Sequence, residues 1–502
     1  MSASVRSDQS LLAVARARRR RKFVMALSIL AVAVRLFWIN QPYIDRWSWR
    51  QSDVAAIARN FSDHGFHFAY PRIDWAGGAP GYVGTEFPIL PFLAAVCYKF
   101  AGVHEWIGRS QAVVFFVVSL PFFFLLVREI LGNAAAVWAT FLYSFAPLSV
   151  FAGRSFMPDV PSLSLALIGL YFFMRWIDNE RSTLFVAAAI AISLALLIKL
   201  PTAVIGAPLF FLVWKKWRWN FLNRPSLWLF AAITVLPSVA WYWHAYQIAE
   251  NFYPNHLFGA GGIGIENFSW YWNITRRFGT SSLTPVLTII ALIGLFVAPR
   301  SKFSGVFHWW LAAMILFIFV VGYGNRHPWY QLPLVPISAA FAGAACAFLE
   351  SKISSHVAVT TLSTLVASSF AIFAYLYVRP LYESSAAQLR DAGQELKKTT
   401  AADALIIAAD TGDPTIFYYA ERKGWHFLEE DGIYDGNPSD SEQAIADLER
   451  LRQRGATHLV FTTNTFWWLE SYPEFAQHLA ESATLIQATS EFRIYKLATV
   501  TK

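Results

Sequence analysis

Long apolar runs set the limits on this chain. They fall at 23–39, 110–128, 134–151, 160–177, 183–198, 201–214, 227–247, 282–298, 306–322, 331–349 and 356–378. A helix crossing the hydrocarbon core of a bilayer takes about 20 residues, and a spanning segment must satisfy its own backbone. Runs this long and this frequent exclude a soluble globular fold. They predict a polytopic α-helical membrane protein with about 11 transmembrane helices. The charged fraction agrees. It is 15% here, against about 25% in an ordinary globular chain.

Basic residues assign the sides. Arg16 to Lys22 is a cationic cluster ahead of the first run. It resembles the start of a signal peptide, but no small-residue cleavage site follows, so the first run reads as a retained span. Arg128, Arg181, Lys215, Lys216, Arg218, Arg224, Arg300, Lys302 and Lys352 fill the short segments on the same side. The positive-inside rule therefore predicts a cytoplasmic N-terminus, 1–22, in a plasma (inner) membrane protein. The membrane body is 23–380, and the net charge of +8 is anchoring charge rather than a nucleic-acid signal. Cys97 and Cys346 sit in apolar context and predict neither a disulfide nor a zinc site.

Residues 40–109 form an outer loop. The run 88–101 is too short to cross and reads as an interfacial helix, as does 51–63. From about 381 the composition changes. LIIAAD (405–410), HFL (426–428) and HLVFTT (458–463) read as strands, 439–455 as a helix ending at Gly455, and 485–498 as a hairpin. These predict a small extracytoplasmic α/β domain over 381–502. It holds no phosphate-binding glycine motif and reads as a lid or docking module without chemistry of its own.

The charges that interrupt the apolar runs share one side. Asp53, Glu86, Arg109, Arg154, Asp159, Lys199, Arg326 and His327 all thread to the outer face, with Arg35 near that end of the first run. Charge beside a bilayer is expensive, so such a cluster marks a site. Asp53, Ile57 and Asn60 are spaced to share a helix face, although Asp53 or Ser52 could equally be a helix cap. Glu86 precedes a proline-punctuated helix. Asp159 stands at the lip of a span, either used in chemistry or paired with Arg154 across the turn. Arg50, Arg109, Arg154, Lys199 and Arg326, with His327 and Tyr330, form a basic set suited to phosphate, though some of these cations also suit interfacial snorkelling. Trp47, Trp49, Trp75, Trp106 and Trp329 read as an aromatic belt.

A carboxylate, a phosphate clamp and a lipid-facing groove fit one reaction. A sugar held on a lipid phosphate is attacked by an acceptor hydroxyl whose proton goes to the carboxylate, while the cations stabilise the departing phosphate.

The segments WRQSDVAAIARNF (49–61), EFPILPFL (86–93), GRSFMPD (153–159) and NRHPWYQLPLVP (325–336) together resemble the C-type (GT-C fold) membrane glycosyltransferases. The likeness is to the branch of protein O-mannosyltransferases and the lipid A aminoarabinose transferase, and it covers about 23–350. It implies a polyprenyl-phosphate-linked sugar as donor, hexosyl or pentosyl, transferred with inversion to an extracytoplasmic glycan, lipid or protein. It also implies catalytic roles for Asp53, Asp159 and Glu86. The family's first acidic site often reads Asp-Glu. Here it reads Gln-Ser-Asp with Asp45 eight residues earlier, which leaves Asp45 as the alternative base. Phe87 stands where the aminoarabinose enzyme has lysine, so phosphate contacts must come from other cations. Some members bind a divalent metal, but no tight ligand pattern is present here and no cofactor is required. Membrane lipids are expected partners. The competing readings are a secondary transporter or lipid flippase and an oligosaccharide ligase. No second, related half of the chain supports a transporter.

Overall fold

The computed structural model describes residues 22, 24–258, 262–299 and 301–499. The basic N-terminal stretch up to Arg21, and Arg300, lie outside them.

The body is helical throughout. Helix α1 (Val24–Leu36) is short and apolar. Helices α2 (Ser48–His64) and α3 (Ile89–Ala101) follow in the segment between α1 and the next long helix. Then come α4 (Glu105–Leu131), α5 (Asn133–Phe145), α6 (Pro147–Ala152), α7 (Asp159–Asn179), α8 (Ser182–Ile198), α9 (Gly206–Trp217) and α10 (Pro225–Asn251). The set is completed by α11 (Phe268–Arg277), α12 (Pro285–Val297), α13 (Val306–Val321), α14 (Leu334–Lys352) and α15 (His356–Val378). Among the described residues six helical stretches are long and apolar enough to cross a membrane, and seven if the pair 268–283 and 285–297, bent by 107°, is one span. The chain is an integral membrane protein.

Local chemistry explains the departures from the apolar runs. The run 134–151 is two helices, because a residue before proline is pushed out of the α region. Ala146, ahead of Pro147, has ψ 136°. Helix α2 is buried along nearly its whole length, from Ser48 to Ser62, rather than on one face. Neither Asp53 nor Ser52 caps it, since Trp47 occupies that position and Asp53 lies in the second turn. In the body, small residues let backbones close on α14. A Cβ on Gly343 would lie 2.3 Å from the Ala135 carbonyl oxygen, and one on Gly294 would lie 1.8 Å from that of Phe341.

The C-terminal unit begins with α16 (Ala387–Thr399). Its strands are β1 (Leu405–Ala409), β2 (Lys423–His426), β3 (Glu429–Glu430), β4 (Ile433–Tyr434), β5 (His458–Thr462), β6 (Ala483–Ala488) and β7 (Phe492–Leu497). The main sheet has the order β2-β1-β5-β7-β6. β1 runs parallel to β2 and β5, and β6 and β7 form the expected hairpin. Helices α17 (Thr415–Ala420) and α18 (Ser441–Gln453) pack with it, the latter N-capped by the Asp440 side chain. One apolar cluster joins this unit to the 40–109 segment, with Ile57, Trp75 and Val83 packed among Ile406, Ile416 and Val460. The seam is tight. Gly77 donates to the Gly424 carbonyl at 2.6 Å, and a Cβ on Gly77 would overlap the Trp425 ring.

Candidate active site

A cavity of about 540 Å³ opens where three parts of the chain meet. Helix α2 supplies Trp49, Arg50 and Asp53, the segment before α14 supplies Arg326, His327 and Tyr330, and the C-terminal unit supplies Asp413, His426 and Tyr434. The indole of Trp75 donates to Asp53 Oδ1 at 3.0 Å. Trp75 is therefore a buried site residue and not part of an interfacial belt. Burial pushes the Asp53 carboxyl up to about 7, against the pull of Arg50, the Trp75 hydrogen bond and His426.

Arg50 turns to Glu86 at 2.5 Å. Burial pushes the Glu86 carboxyl up, but Arg50 and then Lys199 outweigh it and hold the group below its usual value. Lys199 in turn lies 2.7 Å from Asp159 Oδ1 and 4.7 Å from the Tyr330 ring centre. That ion pair is not a directional hydrogen bond, since neither Asp159 oxygen accepts an aligned one. Charge thus alternates along Asp53, Arg50, Glu86, Lys199 and Asp159, from the cavity wall to the start of α7. Asp159 does not pair with Arg154.

His327 stacks on Trp329, with ring centres 4.4 Å apart, and burial lowers it to about 4. His256 on the facing loop is also lowered to about 4, by burial and then Arg50. Both are neutral at ordinary pH. Arg326 is part-buried and lies over the Tyr323 ring.

The structure does not bring Asp45, Arg109 or Arg154 to the cavity. Arg109 lies 2.9 Å from Asp45 and also donates to the carbonyls of Gln41 and Pro42. Arg154 donates to the Trp38 carbonyl at 2.8 Å and lies 3.9 Å from Asp45. Arg35 is spent on Ser144 and Ser149. Each is sealed in the body away from the cavity, so none is placed to clamp a phosphate, and Asp45 is the counter-ion of Arg109 and Arg154. Among the described residues no three His, Cys, Asp or Glu side chains converge to hold a metal ion. Asp53 and Glu86 are instead engaged by Trp75 and Arg50.

The sequence reading missed the C-terminal wall. Asp410 directly follows β1 and His426 ends the adjacent parallel β2, with Ala408 and His426 in register. Asp410 holds His426 Nδ1 at 2.8 and 2.9 Å from its two oxygens. The loop 410–414 is pinned to α2, where Ser48 donates to Asp413 at 2.6 Å and Ser52 meets Thr415 at 2.9 Å. The carboxyl ends of parallel strands are a recurrent ligand position, and that rule applied to LIIAAD was the signal available.

This arrangement, a polytopic helical body whose 40–109 segment and C-terminal sheet enclose a charged cavity, is the C-type fold of membrane glycosyltransferases. Within it, residues 85–243 match the family described as dolichyl-phosphate-mannose-protein mannosyltransferase. ArnT from Cupriavidus metallidurans, solved with undecaprenyl phosphate bound, superposes with a TM-score of 0.66 at 14% identity, over 95% of this chain and 98% of that one. The oligosaccharyltransferase AglB from Archaeoglobus fulgidus, in complex with an inhibitory peptide and a dolichol-phosphate, gives 0.61 at 14% identity, over 94% and 74%. The arabinofuranosyltransferase AftD from Mycobacteria gives 0.53 at 12%, over 95% and 40%. Identities this low establish the fold alone. No curated protein sequence matches the chain.

Proposed function

We propose that this protein is a glycosyltransferase that moves a sugar from a polyprenyl-phosphate donor to an acceptor hydroxyl at the extracytoplasmic face. One observation carries the reading: a buried carboxyl, Asp53, stands on the wall of a cavity that also presents Arg50, Arg326 and Tyr330. Asp53 takes the hydroxyl proton, the freed oxygen bonds to the anomeric carbon, and the lipid phosphate leaves with the electrons of the broken bond. A single displacement of this kind inverts the anomeric centre. Arg326 and Arg50 stabilise the departing phosphate. Glu86 and Asp159 act one step back, orienting Arg50 and Lys199.

A route for a lipid donor supports this. An apolar cleft of about 420 Å³ is lined by Ile274, Phe278, Leu311 and Phe341. A basic recess of about 560 Å³ shares Ile274 with that cleft and Arg326 with the cavity, and adds Arg276 and Arg277. The order apolar, basic, carboxylate matches an isoprenoid tail, a phosphate and a sugar. ArnT holds undecaprenyl phosphate in the same fold.

Counting α1, α4, α5 with α6, and each of α7 to α10 and α12 to α15 as a crossing gives eleven, with the N-terminus cytoplasmic. The basic segments near Arg128, Lys215 and Lys352 then share the cytoplasmic side, and the C-terminal unit lies outside. Labelled polyprenyl-phosphate sugars presented to the purified protein in nanodiscs test the reaction. The label should leave the lipid with wild type and remain on it with Asp53→Asn. Transfer retained by both Asp53→Asn and Asp159→Asn would overturn the assignment.

A further inference from the structure

We infer that His426, held by Asp410, is a positioning residue for Asp53: its positive charge favours the Asp53 carboxylate and keeps it open to the acceptor. The C-terminal unit is then a working part of the active site and not only its cover. The inference rests on the reading of Asp53 as the base.

Three features carry it. First, the imidazole is fixed. Asp410, fully buried at the end of β1, receives Nδ1–H on both oxygens. Its own carboxylate is shaped by the turn, with the Gly412 amide donating to Oδ1 at 3.0 Å. Gly412 has φ 79°, where glycine is favoured. Secondly, the other ring nitrogen has been left for the cavity. Among the described residues nothing hydrogen-bonds to His426 Nε2, yet it is not sealed away as a buried unpaired atom, and His426 lines the cavity. Thirdly, the ring stands beside Asp53. Trp75 touches both, with its indole nitrogen on Asp53 and its ring 5.3 Å from that of His426.

A histidine that only filled space would need no buried carboxylate behind it. Here Phe417 and Trp75 already pack both sides of the ring. A buried Asp410 charge is costly unless it faces a partner able to take positive charge. The titratable groups around the pair are Asp413 and Tyr434 from the C-terminal unit, Arg50 from α2, His256 from the opposite loop, and Arg326, His327 and Tyr330 before α14, with Asp410 behind the imidazole. Arg50, paired with Glu86, is the first cation favouring the Asp53 carboxylate, and His426 adds to it. Burial alone would lower the His426 ring. Asp410, its hydrogen bond, and then Asp53 and Asp413 reverse that and raise it. A protonated imidazole there favours Asp53 as the carboxylate. On reaction Asp53 accepts the acceptor O–H proton, and the imidazolium remains.

Infrared titration of the full-length protein in nanodiscs tests this without a substrate. The Asp53 carboxyl band is assigned by its loss in Asp53→Asn. In His426→Gln its protonation midpoint should rise by about one pH unit, and in Asp410→Asn it should move the same way by less. An unchanged midpoint in folded His426→Gln overturns the proposal. If that variant does not fold, the reciprocal measurement decides. The 15N-histidine titration of His426 should fall by a comparable shift in Asp53→Asn, and no shift overturns it. Failure of transfer by the wild type with this coupling intact would instead count against the proposed reaction alone.

Discussion

Two clusters of buried charge sit a few turns apart and teach different things. In one, Asp45 faces Arg109 and Arg154, with Arg35 beyond them against the Phe116 ring. In the other, Asp53, Arg50, Glu86, Lys199 and Asp159 alternate from the cavity inward. In sequence the two are alike: isolated charges at the outer ends of apolar runs. In space the first spends its donors on carbonyls of residues 38–42 and on Ser144 and Ser149, and so clips the chain between α1 and α2 to the body. The second leaves Asp53 with one oxygen that no protein donor occupies among the described residues. Arg35 Nε and Arg154 Nε are also unclaimed but sealed in the body, so what sets Asp53 apart is an unclaimed atom that opens on a cavity.

Exchanging the roles of the clusters should fail, and the largest effect is expected at Asp53. Asp53→Asn should reduce transfer by about 10²–10⁴-fold, the range for loss of a general base, with thermal unfolding little changed. A residual rate within threefold of wild type would dissolve the distinction between the clusters. Asp45→Ala should do the opposite. It strands Arg109 and Arg154 in the interior, and breaking a buried pair costs about 3–5 kcal/mol. Detergent-solubilised protein should unfold at clearly lower temperature, while donor affinity of the folded fraction holds. A normal unfolding temperature with weakened donor binding would move Asp45 into the site. Arg326→Gln should be milder, because that cation is part-exposed. Donor KM should rise by up to about tenfold, ~1.4 kcal/mol, with kcat less affected.

The same comparison shows how far the sequence could be read. The helical membrane body was legible because apolar length is a local property: the run 356–378 is α15 to the residue. Strands at 405–410 and 458–463 were legible from apolar and β-branched content. Asp53, Glu86, Asp159, Lys199 and Arg326 were legible as charges interrupting or flanking apolar runs. What separated them from Asp45, Arg109 and Arg154 was not, because the carbonyls of Trp38, Gln41 and Pro42 carry no mark in sequence. His426 was invisible for a related reason. Its partner Asp410 is sixteen residues away, and only the parallel pairing of β1 with β2 brings them together. Pro147 is a local signal for the break in the run 134–151, and it can be read by the pre-proline rule.

The smallest expected effect probes Asp53 without removing it. As a base it works only when ionised, so transfer should fall as pH drops through about 7, where burial has pushed the group. Trp75→Phe keeps the ring packed near His256 and His426 but deletes the donor to Asp53 Oδ1. That hydrogen bond favours the carboxylate, so its loss must raise the carboxyl further. A bond to a charged acceptor contributes about 1.5–3 kcal/mol, and one pK unit corresponds to about 1.4 kcal/mol. The acid limb of the pH–rate profile should therefore move up by about one unit. At pH 6 the variant should run about tenfold slower than wild type, and at pH 9, where both carboxylates are ionised, nearly as fast. The convergence at high pH is the informative part. A uniform loss at every pH would mean that the indole holds the substrate or the seam with the C-terminal unit, and that Asp53 is ionised by other means.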